Sequence, residues 1–263
     1  MSGTSVEMAL KERICVLTLN QPEKLNAMSK EMARDFRAVI EKIKNDPEPR
    51  VVVVTGAGRA FSAGANLDMM TAMLEASPVE NKKFVFDFYN TFLSIMDLKI
   101  PTIAAINGHA IGAGAGLILA CDMRIAANNC KIGFPFARMA LHPGMGAEYF
   151  LTRVVGRARA FEILMTGEPI SSEEAYRIGL LNHITAPEDV MDRTMDLAKK
   201  IAAVPVLPIR MLKESIDAAM NGTLTDALHR EAAYQSLCFM SDDMREGINA
   251  IKEKRPPEFK DEY

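Results

Sequence analysis

Four consecutive valines, Val51 to Val54, run straight into Thr55-Gly56-Ala57-Gly58. So short and wholly apolar a run fits a strand covered on both faces, as in a parallel sheet with helices packed over it. A second such run, Thr102 to Ile106, follows Pro101 and gives way to a glycine-rich stretch, Gly108 to Gly116, and then to the apolar segment LILAC. Helical and strand patterns alternate around these two runs. Residues 14–19 (ICVLTL) read as a strand ending at Asn20-Gln21-Pro22. Ser29 can cap a helix in which Met32, Phe36, Val39, Ile40 and Ile43 share one face. A helix is expected over roughly 79–97, and short strands over 123–127 and 132–134. This order predicts the α/β class.

From Gly146 the pattern turns mostly helical. Ser171 and Glu174 have capping-box spacing, and Pro187 suits the first turn of a helix carrying Val190, Leu197 and Ile201. Pro205 and Pro208 mark a break, and residues 208–255 read as three helices. The expected organisation is a core over residues 1–200 and a helical part over 201–263.

Composition narrows the function classes. A chain of 263 residues, 49% apolar, can bury a large core. A net charge of −3 advertises neither a nucleic-acid nor a membrane surface. The N-terminal sequence turns charged within a dozen residues and has no secretory core. The stretch from Thr102 to Cys121 contains Asn107, His109 and four glycines, which disfavours a membrane span. Cys15, Cys121, Cys130 and Cys238 are scattered, and the four histidines are isolated. The expectation is free thiols in a reducing compartment, the cytoplasm, and no metal site.

Two segments can carry chemistry: Phe61-Ser-Ala-Gly-Ala-Asn-Leu67 after a buried strand, and Gly112-Ala-Gly-Ala-Gly116 at a helix start. Small side chains let a ligand approach the backbone, and a helix start presents N–H groups without intrahelical partners. The second segment reads G-x-G-x-G, not the dinucleotide fingerprint G-x-G-x-x-G, and lacks the acidic residue about 20 positions on. Close helix–strand packing through small residues explains the same spacing.

Taken together, Ile14–Asn20, Pro22-Glu-Lys-Leu-Asn-Ala-Met28, residues 51–70, residues 101–117, Cys121–Ala126, Pro143-Gly-Met-Gly146 and residues 253–261 resemble the crotonase superfamily of enoyl-CoA hydratases and isomerases, collinear nearly end to end. The resemblance implies a spiral of β-β-α units, a helical C-terminal part that makes homotrimers or homohexamers, and an acyl-CoA ligand, with coenzyme A entering as part of the substrate and no separate cofactor. It implies an oxyanion hole from the backbone N–H groups of Ala65 and Ala113. It further implies CoA contacts from Lys24, Leu25 and Ala27, a wall from Ala63, Asn66 and Leu67, and a phosphate contact from Lys254 of a neighbouring subunit. The family's usual aspartate is Asn66 here, and its usual glycine is Ala113.

The chain departs from that pattern where the family keeps its catalytic carboxylates. The two glutamate positions are Gly116 and Phe136, and a third, aspartate position is Gly144. Water addition needs a base for the water and an acid for the α-carbon, and neither glycine nor phenylalanine supplies one. The expectations are therefore enolate chemistry such as decarboxylation, or a catalytically silent acyl-CoA binder or assembly subunit. Restoring both groups as Gly116→Glu with Phe136→Glu is expected to confer hydration. His142 is a candidate base, with a loop histidine outside the pocket as the competing reading. His109 suits a structural hydrogen bond, Arg138 a substrate anion or plain solvation, and Asp68 and Glu148 are weaker candidates. Met69, Met70 and Met73 suit an acyl tunnel or core filling alike.

Overall fold

The computed structural model describes residues 4–261. Strands β1 (Val6–Lys11) and β2 (Ile14–Leu19) form an antiparallel hairpin. Helix α1 (Lys30–Asn45) begins where the Ser29 hydroxyl accepts from the Met32 N–H, and it buries Met32, Phe36, Ile40 and Ile43. Next come β3 (Val51–Gly56) and β4 (Ala60–Ser62), then α2 (Leu67–Leu74) and α3 (Pro78–Leu93). A second round is β5 (Thr102–Ile106), β6 (His109–Ile111) and α4 (Ala113–Ala120). A third is β7 (Met123–Ala127), β8 (Lys131–Gly133), α5 (Ala147–Val154) and α6 (Arg157–Thr166). The remaining elements are β9 (Ile170–Ser171), α7 (Ser172–Arg177), β10 (His183–Thr185), α8 (Val190–Ala202), α9 (Val206–Ala219), α10 (Leu224–Cys238) and α11 (Asp242–Glu253).

Six strands pair in the order β1-β2-β3-β5-β7-β10 and four in the order β4-β6-β8-β9. From β3 to β8 each round of the chain adds one strand to the large sheet and the next to the small one. That alternation is a spiral of β-β-α units, with parallel pairing along β2, β3, β5, β7 and β10. The valines of β3 sit in the middle of the large sheet with no exposure, which is why the sequence there shows no polar alternation. The loops leaving the first and second rounds come together beside α4.

Among the described residues every strand precedes α8, and α9 to α11 follow it as the C-terminal helices. Their end is fastened to the sheet side of the molecule. The Asp261 carboxylate lies 2.5 Å from the buried Arg50 and 2.9 Å from Arg13, and it also accepts from the Val206 N–H. Pro208 falls inside the first turn of α9, where a missing N–H costs no intrahelical bond, so it does not extend the break. The short strands β1, β4, β6, β9 and β10 and the helix α2 were not among the elements expected from sequence.

Candidate functional site

Ala65 is held by one parallel bridge to Met28. The Met28 N–H donates to the Gly64 carbonyl at 2.7 Å, and the Asn66 N–H donates to the Met28 carbonyl at 3.0 Å. This pattern uses the groups on either side of Ala65 and turns its own N–H away from Met28. Ala113 is the first residue of α4, and Gly112 before it offers no capping side chain. Among the described residues, no carbonyl or side chain accepts from either N–H.

The two segments abut at Gly64. Its φ is +93°, and a Cβ there would lie 2.7 Å from the Ile111 carbonyl oxygen and 3.3 Å from the Ala113 nitrogen. Glycine is what lets the turn bearing Ala65 close onto the start of α4. Two unpaired N–H groups thus sit on neighbouring backbone, one of them at the positive end of a helix dipole. Such a pair can accept a carbonyl oxygen on which negative charge develops.

Buried polar side chains pin this arrangement. The Ser62 hydroxyl, fully buried, donates to the Asn26 carbonyl at 2.8 Å and accepts from the Gly64 N–H at 3.1 Å. The Asn26 amide donates to the carbonyls of Ala57 and Ala60, and its oxygen accepts from the Gln21 N–H. A Cβ on Gly114 would come within 2.7 Å of Ser62, so α4 packs directly on that serine. Sequence reasoning missed both pins. The left-handed φ of Asn26, +54°, is the kind of position where Asn is favoured, but nothing local marks Ser62.

The wall beyond Ala113 is apolar and filled. A Cβ on Gly116 would lie 2.3 Å from the Met145 Cβ, and Met145 is buried with a left-handed φ of +56°. Phe136 is half-buried against the core and opens the tight turn closed by the Met139 and Leu141 N–H groups on its carbonyl. A Cβ on Gly144 would meet the Tyr89 hydroxyl at 2.1 Å. Burial pushes the Tyr89 phenol up, against a hydrogen bond from the Met145 backbone.

The other expected residues fall around this centre. Lys24 ends a short 3-10 turn, Leu25 follows it in the left-handed region, and the Leu25 carbonyl accepts from the Ala63 N–H at 2.9 Å. The loop from Lys24 to Ala27 is therefore joined to the Ala65 segment. Asn66 uses its side-chain oxygen to cap α2 on the Met69 N–H, and Leu67 is exposed. Lys254 caps α11 on the exposed surface.

His142 is 79% exposed, donating from Nδ1 to the Pro143 carbonyl with Nε2 3.7 Å from Glu148. Both ring nitrogens are thus turned to surface partners. The His109 Nδ1 accepts from the Lys131 N–H, a structural bond between β6 and β8. Arg138 pairs with Glu168 on the surface. Cys15, Cys121 and Cys130 are buried free thiols pushed up to about 11, 12 and 11 by desolvation, so they offer no thiolate at neutral pH. A groove of about 420 Å³ between α1 and α3, lined by Lys30, Arg34, Arg37 and Phe84 among others, includes neither Ala65 nor Ala113. Among the described residues no group of His, Cys, Asp and Glu is placed to hold a metal ion, and no helix is long and apolar enough to cross a membrane.

The fold is a spiral of β-β-α units with two unpartnered backbone N–H groups brought together at the start of a buried helix. The enoyl-CoA hydratase/isomerase family model matches residues 9–262, and the chain belongs to that family, within the crotonase superfamily. It is 32% identical over 259 residues to "Probable enoyl-CoA hydratase echA8" of Mycobacterium bovis, covering 98% of this chain and 99% of that one. It is 34% identical to the 1,2-epoxyphenylacetyl-CoA isomerase of Escherichia coli, covering 95% and 96%. The crystal structure of an enoyl-CoA hydratase from Bacillus anthracis superposes with a TM-score of 0.92 at 31% identity, covering 98% and 100%. A hydratase and an epoxide isomerase are thus similar to this chain to nearly the same degree.

Proposed function

We propose that this protein binds an acyl-CoA thioester with its carbonyl oxygen on the N–H groups of Ala65 and Ala113, and that it works through the thioester enolate without adding water. The observation that carries this reading is the pair of unpartnered donors brought together at Gly64. Backbone donors aimed at a developing oxyanion are worth ~3–4 kcal/mol each in catalysis. Positions 116 and 136 carry Gly and Phe, and Met145 fills the space beside Gly116, so the wall facing the acyl group holds no carboxylate at these places. Loss of CO2 from a malonyl-type thioester generates the enolate with no base, and it is the reaction best suited to such a wall.

In this reading the CoA moiety runs along the loop of Lys24, Leu25 and Ala27 and along Ala63, Asn66 and Leu67. Lys24, and Lys254 of a neighbouring subunit, supply cations for its phosphates. The exposed apolar side chains of Leu212 and Ile216 in α9 and of Met220, its C-cap, recur every fourth residue and suit the interface of a homotrimer or homohexamer.

The test is thermal melting with CoA, crotonyl-CoA, butyryl-CoA and malonyl-CoA, followed by turnover of each thioester. A ligand at about 100 times its Kd adds ~2.7 kcal/mol of stability. No shift with any thioester removes the acyl-CoA reading. Stabilisation without turnover of any assigns the protein as a silent acyl-CoA binder.

A further inference from the structure

The chain of contacts that runs outward from the oxyanion helix ends on a polar group the sequence did not single out. Gly116 lies one turn along α4 from Ala113, and Met145 packs on it. The next link is the Tyr89 hydroxyl of α3, placed where a side chain on Gly144 would begin. We propose that Tyr89 is a catalytic residue of this site, its hydroxyl delivering the proton to the α-carbon of the thioester enolate. The inference rests on the acyl-thioester reading above and adds the proton donor that reading lacks.

Three observations converge on it. Tyr89 is half-buried and packed against the core, so its ring is fixed, not free in solvent. Among the described residues nothing accepts the Tyr89 hydroxyl hydrogen, which leaves that hydrogen available to a ligand. The other protonic groups of this region are turned outward: His142 toward Pro143 and Glu148, Arg138 toward Glu168. Burial, with Glu148 of α5 acting in the same direction, keeps the phenol protonated at neutral pH, the state a general acid needs.

The step balances without an oxidant or cofactor. The Cα–carboxylate bond breaks, CO2 leaves, and its electron pair enters the thioester as an enolate held by the Ala65 and Ala113 N–H groups. The enolate carbon then takes the Tyr89 hydroxyl proton, the O–H electron pair stays on the phenolate, and solvent returns a proton to it. One proton is consumed for each CO2 released.

Tyr89→Phe in the full-length protein tests this, with malonyl-CoA and methylmalonyl-CoA as probes. The expected result is KM within about 3-fold of wild type and kcat lower by about 100-fold. In D2O, propionyl-CoA formed by wild type carries deuterium on one face of Cα, and that formed by Tyr89→Phe carries it on both. An unchanged kcat overturns the proposal. If the wild type binds thioesters but releases no CO2, decarboxylation fails as the reaction, and tyrosinate absorbance then judges Tyr89. A butyryl-CoA-induced rise in the pH of tyrosine ionisation that Tyr89→Phe abolishes keeps the hydroxyl on the thioester. Absence of that rise overturns the assignment. If no thioester raises the melting temperature of wild type, the acyl-CoA reading falls and Tyr89 falls with it.

Discussion

Met145 stands where a side chain on Gly116 would begin: a Cβ added to Gly116 lies 2.3 Å from the Met145 Cβ. Position 116 is therefore packed, not vacant. Any carboxylate placed there must first displace a buried methionine held in a left-handed backbone conformation.

This changes what restoring hydration requires. Wild type is expected to hydrate crotonyl-CoA very weakly, since each general acid–base group typically contributes ~100- to 10,000-fold. The pair Gly116→Glu and Phe136→Glu suffices on the sequence alone, but with Met145 present it should stay inactive and lose ~1–3 kcal/mol from overpacking. Adding Met145→Gly opens the space and suits the positive φ. Activity should appear only in the triple variant, by crotonyl-CoA absorbance, with stability followed by urea unfolding. Efficient hydration by the unmodified protein would sink the reading of the apolar wall.

Ser62→Ala should loosen the oxyanion turn. It strands the buried Gly64 N–H and the Asn26 carbonyl, at ~1–3 kcal/mol for the unsatisfied groups. Because the Gly64 N–H precedes the Ala65 donor by one residue, thioester affinity should fall as well. Denaturation and calorimetric titration with butyryl-CoA check the two effects. Lower stability with unchanged affinity would make Ser62 a purely structural pin.

A trimer or hexamer is expected by light-scattering chromatography at micromolar concentration. Leu212→Glu with Ile216→Glu places charges on an exposed apolar face of α9 and should shift the protein to monomer. A monomer peak for the wild type refutes the assembly.

Acidification should release the C-terminal segment before the core. The Arg255 guanidinium, and next the Glu258 N–H, hold the Glu246 carboxyl down at about 2 from its ordinary 4.5. A depressed carboxyl contributes stability above its unfolded value and loses it as pH falls toward the folded one. Between pH 4.5 and about 2, amides of residues 255–261 should lose hydrogen-exchange protection while β3 and β5 keep theirs. Simultaneous loss in both regions would show that the contact does not act locally.

Local signals in the sequence reached a long way. The valines of β3 announced a parallel strand covered on both faces, Ser29 and the spacing of Met32, Phe36 and Ile40 announced α1, and Ser171 with Glu174 announced the start of α7. The glycines at 64 and 112 and the small residues around them pointed to Ala65 and Ala113 once the resemblance aligned them. These features depend on residues within a turn or two of each other, so propensity, periodicity and capping suffice to read them.

The short strands β1 and β6 were not legible in this way, because three to six residues become a strand only when a distant partner supplies the other half of each hydrogen bond. The same holds for the wall of the site. The sequence by itself determined that residues 116, 136 and 144 carry no carboxylate. Only the tertiary structure decided that Met145, 29 positions from Gly116, occupies its neighbour's space, and that a hydroxyl 55 positions before Gly144 comes to stand beside it. It also decided that His142 turns to the surface. Which side chain fills a seat is set by the packing of segments far apart in the chain, and no local pattern of residues carries that information.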